Sequence, residues 1–226
     1  MSAKTIQLET TPNIKPLLLK AAFKRIPTMD RDLHSQVLPN IQYHIAALKL
    51  DRTQIKTFNE VVCWDPQEGE VHPCYFHTLA FPLHLKLLLL PACPFPLLGL
   101  IHLSNQIKQI RPTILGEPLS MTAYFGRVSK HAKGWMFCIN IEFYSESELV
   151  WSSQSHYLSR TKHHQSQSSD RIRNNQIESE HIKVIEHLSS SLGRQYAKVS
   201  GDFNPIHLTK LSAKLFGLKR HIIHGM

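Results

Sequence analysis

Residues 99–159 read GLIHLSNQIKQIRPTILGEPLSMTAYFGRVSKHAKGWMFCINIEFYSESELVWSSQSHYLS. Four stretches of this run, 99–110, 119–130, 134–145 and 149–159, show period-two alternation and are rich in Ile, Val, Phe, Tyr and Trp. A period of two sends successive side chains to opposite faces, so each stretch is expected to be a strand. Turn-forming residues at 112–118, 130–134 and 145–148 separate them, which predicts four consecutive antiparallel strands. Upstream, residues 76–90 are apolar on nearly every side, as a helix buried all round would be. Asp51 is placed to cap a helix over 52–62, whose Ile55, Phe58 and Val62 share one face. The segment IQYHIAALKL at 41–50 has the β-branched and aromatic character of one more strand, and 65–73 is a polar loop. One buried helix and several antiparallel strands make an α+β layer architecture, with the sheet wrapped around the helix. The expected domain spans 41–158, after an extension over 1–40 broken by Pro12, Pro16, Pro27 and Pro39.

Composition narrows the class. The 226 residues are 42% hydrophobic and 19% charged, which excludes a disordered chain and leaves ample material for a core. Lys and Arg number 26 against 17 Asp and Glu, and 159–226 holds eleven of those cations with five of the carboxylates. A basic last third suits an anionic ligand; without basic–aromatic interleaving, nucleic acid is not an expected partner. Cys63, Cys74, Cys93 and Cys138 show no ligand or disulfide spacing, so reduced thiols in a cytoplasmic protein are expected. Lys20 interrupts the apolar run near the N-terminus, so no signal peptide is read there. The run at 87–101 is too short to span a membrane and carries Pro91, Pro94 and Pro96, so no membrane span is expected. Residues 159–180 are dominated by Ser, Gln, Asn, His and Arg and are expected to be a surface linker. The histidines His163, His164, His181 and His187 have no Cys or carboxylate at ligand spacing, so no metal is expected there.

Beyond the linker, a helix-like run over 182–200 leads into Ser200-Gly201-Asp202-Phe203-Asn204-Pro205-Ile206-His207. Gly201 permits a turn that a Cβ would resist, and Asn204-Pro205 turns the chain out of helix. The loop so formed presents Asp202 and His207 five positions apart, before a short helix over 208–216 that Gly217 can end.

The string Tyr196-x-x-Val199-Ser200-Gly201-Asp202-x-Asn204-Pro205-Ile206-His207, with Ala213 beyond it and Ile223-His224-Gly225-Met226 further on, resembles the hydratase motif of the MaoC-like family. That family includes (R)-specific 2-enoyl-CoA hydratases and 3-hydroxyacyl-thioester dehydratases, and the motif covers about residues 180–226. The resemblance implies a hot-dog fold, an antiparallel sheet around a long central helix, and it implies no cofactor. It implies reversible hydration of 2-enoyl thioesters, or dehydration of (R)-3-hydroxyacyl thioesters, on a CoA or acyl-carrier-protein carrier. Asp202 and His207 would hold the water and supply acid–base catalysis, Asp202 as the main base, and the Gly225 backbone N–H would serve the oxyanion. Ser200, Gly201, Asn204 and Pro205 shape the loop, and Lys210, Lys214, Lys219 and Arg220 are candidate phosphate partners. Like other hot-dog proteins, the chain is expected to pair as a homodimer.

A degenerate internal repeat is also legible. Phe58-x-x-x-Val62-Cys63-Trp64 can be laid on Tyr196-x-x-x-Ser200-Gly201-Asp202, with His77 on His224. Trp64 then stands in place of the Asp and Gly69 in place of the His, so the first half lacks the dyad. The sequence stops at Met226, where the second domain's central helix should begin, so a truncated MaoC-like domain over 181–226 is expected. A non-catalytic thioester-binding protein, or truncated pseudoenzyme, is the alternative reading.

Overall fold

The structure, a computed structural model, describes residues 3–24, 38–67, 69–97, 99–160, 187–215 and 217–224. The elements in chain order are β1 (Lys4–Leu8), α1 (Ile14–Phe23), β2 (Ile41–Leu48), α2 (Arg52–Val62), α3 (Pro73–Leu88), β3 (Ile101–Gln109), β4 (Leu119–His131), β5 (Gly134–Ser145), β6 (Glu148–Arg160), α4 (Leu192–Ser200) and α5 (Lys210–Lys214). A 3₁₀ turn, Pro205–His207, lies between α4 and α5.

The strands form one six-stranded sheet in the order β1-β2-β4-β5-β6-β3. β1 runs parallel to β2, and every other neighbouring pair is antiparallel. The four expected strands are all present, antiparallel and in adjacent places in the sheet, but their order in space is not their order in the chain. β4, β5 and β6 form a meander, whereas β3 pairs with β6 at the sheet edge. Alternation specifies which face each side chain takes and leaves the order of strands open, which is why this placement was not legible. Residues 1–40 contribute β1 to the opposite edge of the sheet, and α1 packs near α3.

α3 is the element the sheet wraps. Phe76, Ala80, Leu83 and Leu87 are fully buried on it, as are Met121, Ile139, Ile141 and Phe143 on β4 and β5. Phe76 meets Phe143 edge-on at 4.9 Å and Trp151 at 5.7 Å, so helix and sheet share one aromatic cluster. The helix starts at Pro73, earlier than the apolar run suggested. His72 caps it, accepting the Cys74 N–H, and proline at the first helical position has no N–H to leave unpaired. Asp51 caps α2 as expected, accepting the Thr53 and Gln54 N–H groups.

α4 belongs to the same core. Tyr196 is buried within the main apolar cluster, and its ring lies 6.1 Å from that of Phe58 on α2. The segment after the expected linker therefore docks directly on the first half. Of that linker, Ser159 and Arg160 form the end of β6, and 161–180 lie outside the described residues, as do His163, His164 and His181. No helix among the described residues is long and apolar enough to cross a membrane.

Candidate active site

The loop after α4 is assembled from short-range hydrogen bonds that its own residue types dictate. α4 ends at Gly201, whose φ of 75° is the left-handed conformation that closes a helix C-terminus. Ser200 Oγ accepts the Asp202 N–H, Asp202 Oδ1 accepts the Asn204 N–H, and Asn204 Oδ1 accepts the Ile206 N–H. Pro205 then opens the 3₁₀ turn that carries His207. Each small polar side chain thus satisfies a backbone donor two residues on, and the loop is braced before any tertiary contact forms.

Tertiary contacts fix the rest. His207 Nδ1 lies 3.0 Å from the Ile222 carbonyl, an acceptor, so Nδ1 carries a proton, and in the neutral ring the lone pair is on Nε2. Asp202 has one oxygen committed to the Asn204 N–H, while its other oxygen faces His224 Nε2 at 3.7 Å. The ligand atoms of Asp202, His207 and His224 all lie within 4.8 Å of one another. Two hydrogen bonds of about 2.8 Å, made by one bridging water, span such a gap. His207 and His224 are buried, and the Asp202 side chain is about a third exposed. The dyad is therefore open to solvent on the carboxylate side.

Two His and one carboxylate are also a metal-ligand set, but the ring geometry argues against an ion. His207 and His224 stack with centroids 3.8 Å apart and planes 26° apart. Rings that face each other in this way do not aim their in-plane lone pairs at one point a bond length, ~2.0–2.1 Å, from both. The donor set suits water instead.

The charge of Asp202 reaches a buried aromatic group of the first half. His102 stacks on Tyr157 at 4.9 Å and on His77 at 6.0 Å, at a bulge in β3 between His102 and Ser104. Burial holds the His102 imidazole below its ordinary value, and the nearby Asp202 charge opposes that. Burial, reinforced by the same carboxylate, pushes the phenols of Tyr157 and Tyr196 well up, so both are O–H donors at neutral pH. Burial, and then His207, lowers His224, which is thereby held neutral. His224 touches the dyad, Tyr196 lies against His224, and His102 and Tyr157 feel the Asp202 charge; none of the four was expected as a site residue. Only Tyr196 and His224 had a signal, as fixed positions of the motif.

The other expected positions divide. Lys210 and Lys214 stand exposed on α5, with Lys219 and Arg220 exposed on the turn beyond. Among the described residues no carboxylate pairs with any of them. Gly225 lies outside the described residues. The repeat needs one correction. His72, and not His77, stands to Phe58 and Trp64 (5.6 and 4.8 Å) as His224 stands to Tyr196 (4.8 Å) and Asp202. His77 instead lies inside α3, in the buried cluster with His84 and His102, because α3 begins earlier than its apolar run suggested. α2 also ends like α4, with Cys63 left-handed at φ 53° where α4 has Gly201. Beside α2, at the place corresponding to the dyad loop, is a groove of about 500 Å³ lined by Ile55, Asn59, Cys63 and Trp64.

Residues 174–226 match the family described as MaoC like domain, a match that takes in Asp202, His207 and His224. This end of the chain is similar to the MaoC-like family. The likeness to a curated protein extends over nearly the whole sequence. The 3-hydroxyacyl-thioester dehydratase X of Mycobacterium tuberculosis is 25% identical over 217 residues, 96% of this chain and 76% of that protein. Two crystal structures of HtdX from the same organism superpose with TM-scores of 0.65 and 0.64, at 23% and 24% identity. Each covers 81% of this chain, and 71% and 73% respectively of the HtdX chains is matched. A MaoC-like dehydratase from Phytophthora capsici superposes with a TM-score of 0.56 at 16% identity, over 81% of this chain and 69% of its own. The fold is therefore the hot dog, and the segment matched by the family model packs on the first half through α4, against α2 and α3.

Proposed function

We propose that the chain is a hydro-lyase of fatty acid metabolism that hydrates 2-enoyl thioesters and dehydrates (R)-3-hydroxyacyl thioesters. The observation that carries the reading is the Asp202–His207 pair, its polar atoms one water apart on a loop braced from within and without. In hydration, water held between Asp202 and His207 Nε2 attacks C3 and gives up a proton to the pair, while C2 receives a proton from it. The thioester oxygen carries enolate charge in between, which the reading assigns to the Gly225 backbone N–H. With Nδ1 donating to Ile222, the neutral His207 ring holds its lone pair on Nε2, so it can share the proton transfer while Asp202 is read as the main base.

The carrier is read as CoA or acyl carrier protein, whose phosphates the exposed Lys210, Lys214, Lys219 and Arg220 can meet. The chain is further read as a cytoplasmic homodimer, in keeping with its four free cysteines and with the free outer edge of β3 in the described sheet. Sedimentation of the purified chain gives the assembly directly.

The test of activity is loss of enoyl-thioester absorbance on adding the protein to a short trans-2-enoyl-CoA. Asp202→Asn and His207→Gln are each expected to lower kcat by at least about 10²-fold, the usual contribution of a positioned acid–base group. Thioester binding without turnover in the unaltered chain would favour the non-catalytic reading.

A further inference from the structure

The stretch from Ile222 to His224 crosses the dyad loop as a strap. The Ile222 N–H donates to the Ile206 carbonyl at 3.1 Å, and the Ile222 carbonyl accepts from His207 Nδ1 at 3.0 Å. His224 Nε2 lies 3.1 Å from the Asp202 carbonyl, so it carries the proton and donates. The His224 ring lies against His207 on one hand and Tyr196 on the other. The His224 side chain thus touches both members of the dyad, Asp202 through its carbonyl and His207 through its ring. Its other nitrogen, Nδ1, is buried with no partner in the described structure, as expected of a neutral ring held by stacking and one donated bond.

We propose that His224 is a positioning residue: its N–H fixes the Asp202 backbone while its ring sets the plane of His207, so that both face one water. This rests on the hydration reading above for its effect on rate, but its effect on His207 is separately measurable. Burial alone does not require a histidine here. An apolar ring would fill the same space beside Tyr196 without leaving a nitrogen unpaired, so the retained N–H is explained by what it holds.

Two substitutions separate the two contacts. His224→Phe keeps a ring for the stack and removes the donor, whereas His224→Gln keeps an N–H in reach of Asp202 and removes the ring. Each is expected to lower kcat about 10-fold or more with KM changed less than about two-fold, since a small misplacement of reacting groups costs rate before binding. His224→Ala is expected to lose more than either. Equal kcat in all three variants and the unaltered chain overturns the proposal, as does a loss confined to KM. Imidazole ¹⁵N shifts provide the readout independent of turnover. In the unaltered chain His207 is expected as the Nδ1–H tautomer, and in the folded His224→Ala or His224→Gln variant as a mixture. An unchanged His207 tautomer in those variants overturns the positioning role. If the unaltered chain does not turn over while His207 responds as described, the hydration reading fails and the strap stands.

Discussion

Gly193 lies where α4 passes against the dyad loop. A Cβ at this position would collide with the His207 carbonyl oxygen, a backbone atom that cannot swing aside. Gly193→Ala is therefore expected to push the 3₁₀ turn away from α4 and carry His207 with it. Overpacking of this kind typically destabilises by about 1–3 kcal/mol. The expected outcome is a lower denaturant midpoint together with a fall in kcat larger than the fall in stability explains, since His207 must stay within one water of Asp202. A variant with native stability and native kcat would mean that the loop tolerates the shift. The small residue was readable at 193, but its reason lies across the loop in His207. The same holds for His102, whose place beside Asp202 depends on a bulge in β3 and a sheet order that alternation cannot specify. By contrast Asp202, Ser200, Asn204 and His207 were legible as a set because their contacts are local.

At the scale of elements, α2 and α4 solve one problem with two residues. Both end in the left-handed conformation, but α4 uses Gly201 and α2 uses Cys63. A residue with a Cβ pays roughly 1–2 kcal/mol for that conformation, and Cys63 is exposed, with only a long Sγ contact to the Glu60 carbonyl to lose. Cys63→Gly is expected to stabilise the chain by about 0.5–1 kcal/mol, the gain being trimmed by the greater freedom of glycine when unfolded. Equilibrium urea unfolding of the two proteins measures it, and a destabilised variant would contradict the strain at this cap. Gly201→Ala should go the other way, because its Cβ would also meet Ile14 Cδ1 of α1 at 2.7 Å. β4, β5 and β6 were legible because long alternating strands with one buried face write their period into the sequence. β1 was not, since a five-residue edge strand that is mostly exposed has too little burial to impose a pattern. α4 starts at Leu192, later than the apolar run suggested, because the serines before it favour a turn over helix.

Over the whole molecule, the first half keeps a run of buried histidines between α3 and the sheet. His84 Nδ1 shares a hydrogen bond of 2.9 Å with the Tyr157 hydroxyl, and His77 bonds Asn105, which in turn accepts from Ser155. Burial holds His77 down at about 3, assisted by the neighbouring His102, and it lowers His84, His102, His72 and His224 as well. The unfolded chain returns each imidazole to its ordinary value of 6.5, so it binds protons that the folded chain refuses. Their contribution to stability is full above that value and shrinks as pH falls from 6.5 towards 3. For His77 alone the loss between neutral pH and pH 5 is about 2 kcal/mol, from the protonation its unfolded form gains. Folding free energy from urea titrations should therefore drop steeply between pH 7 and pH 5, by more than one histidine supplies. Replacing His84 with Leu, which fills the site without a titrating group, should flatten that slope even where it costs the bond to Tyr157. A slope that is unchanged in His84→Leu would place the acid sensitivity outside this cluster.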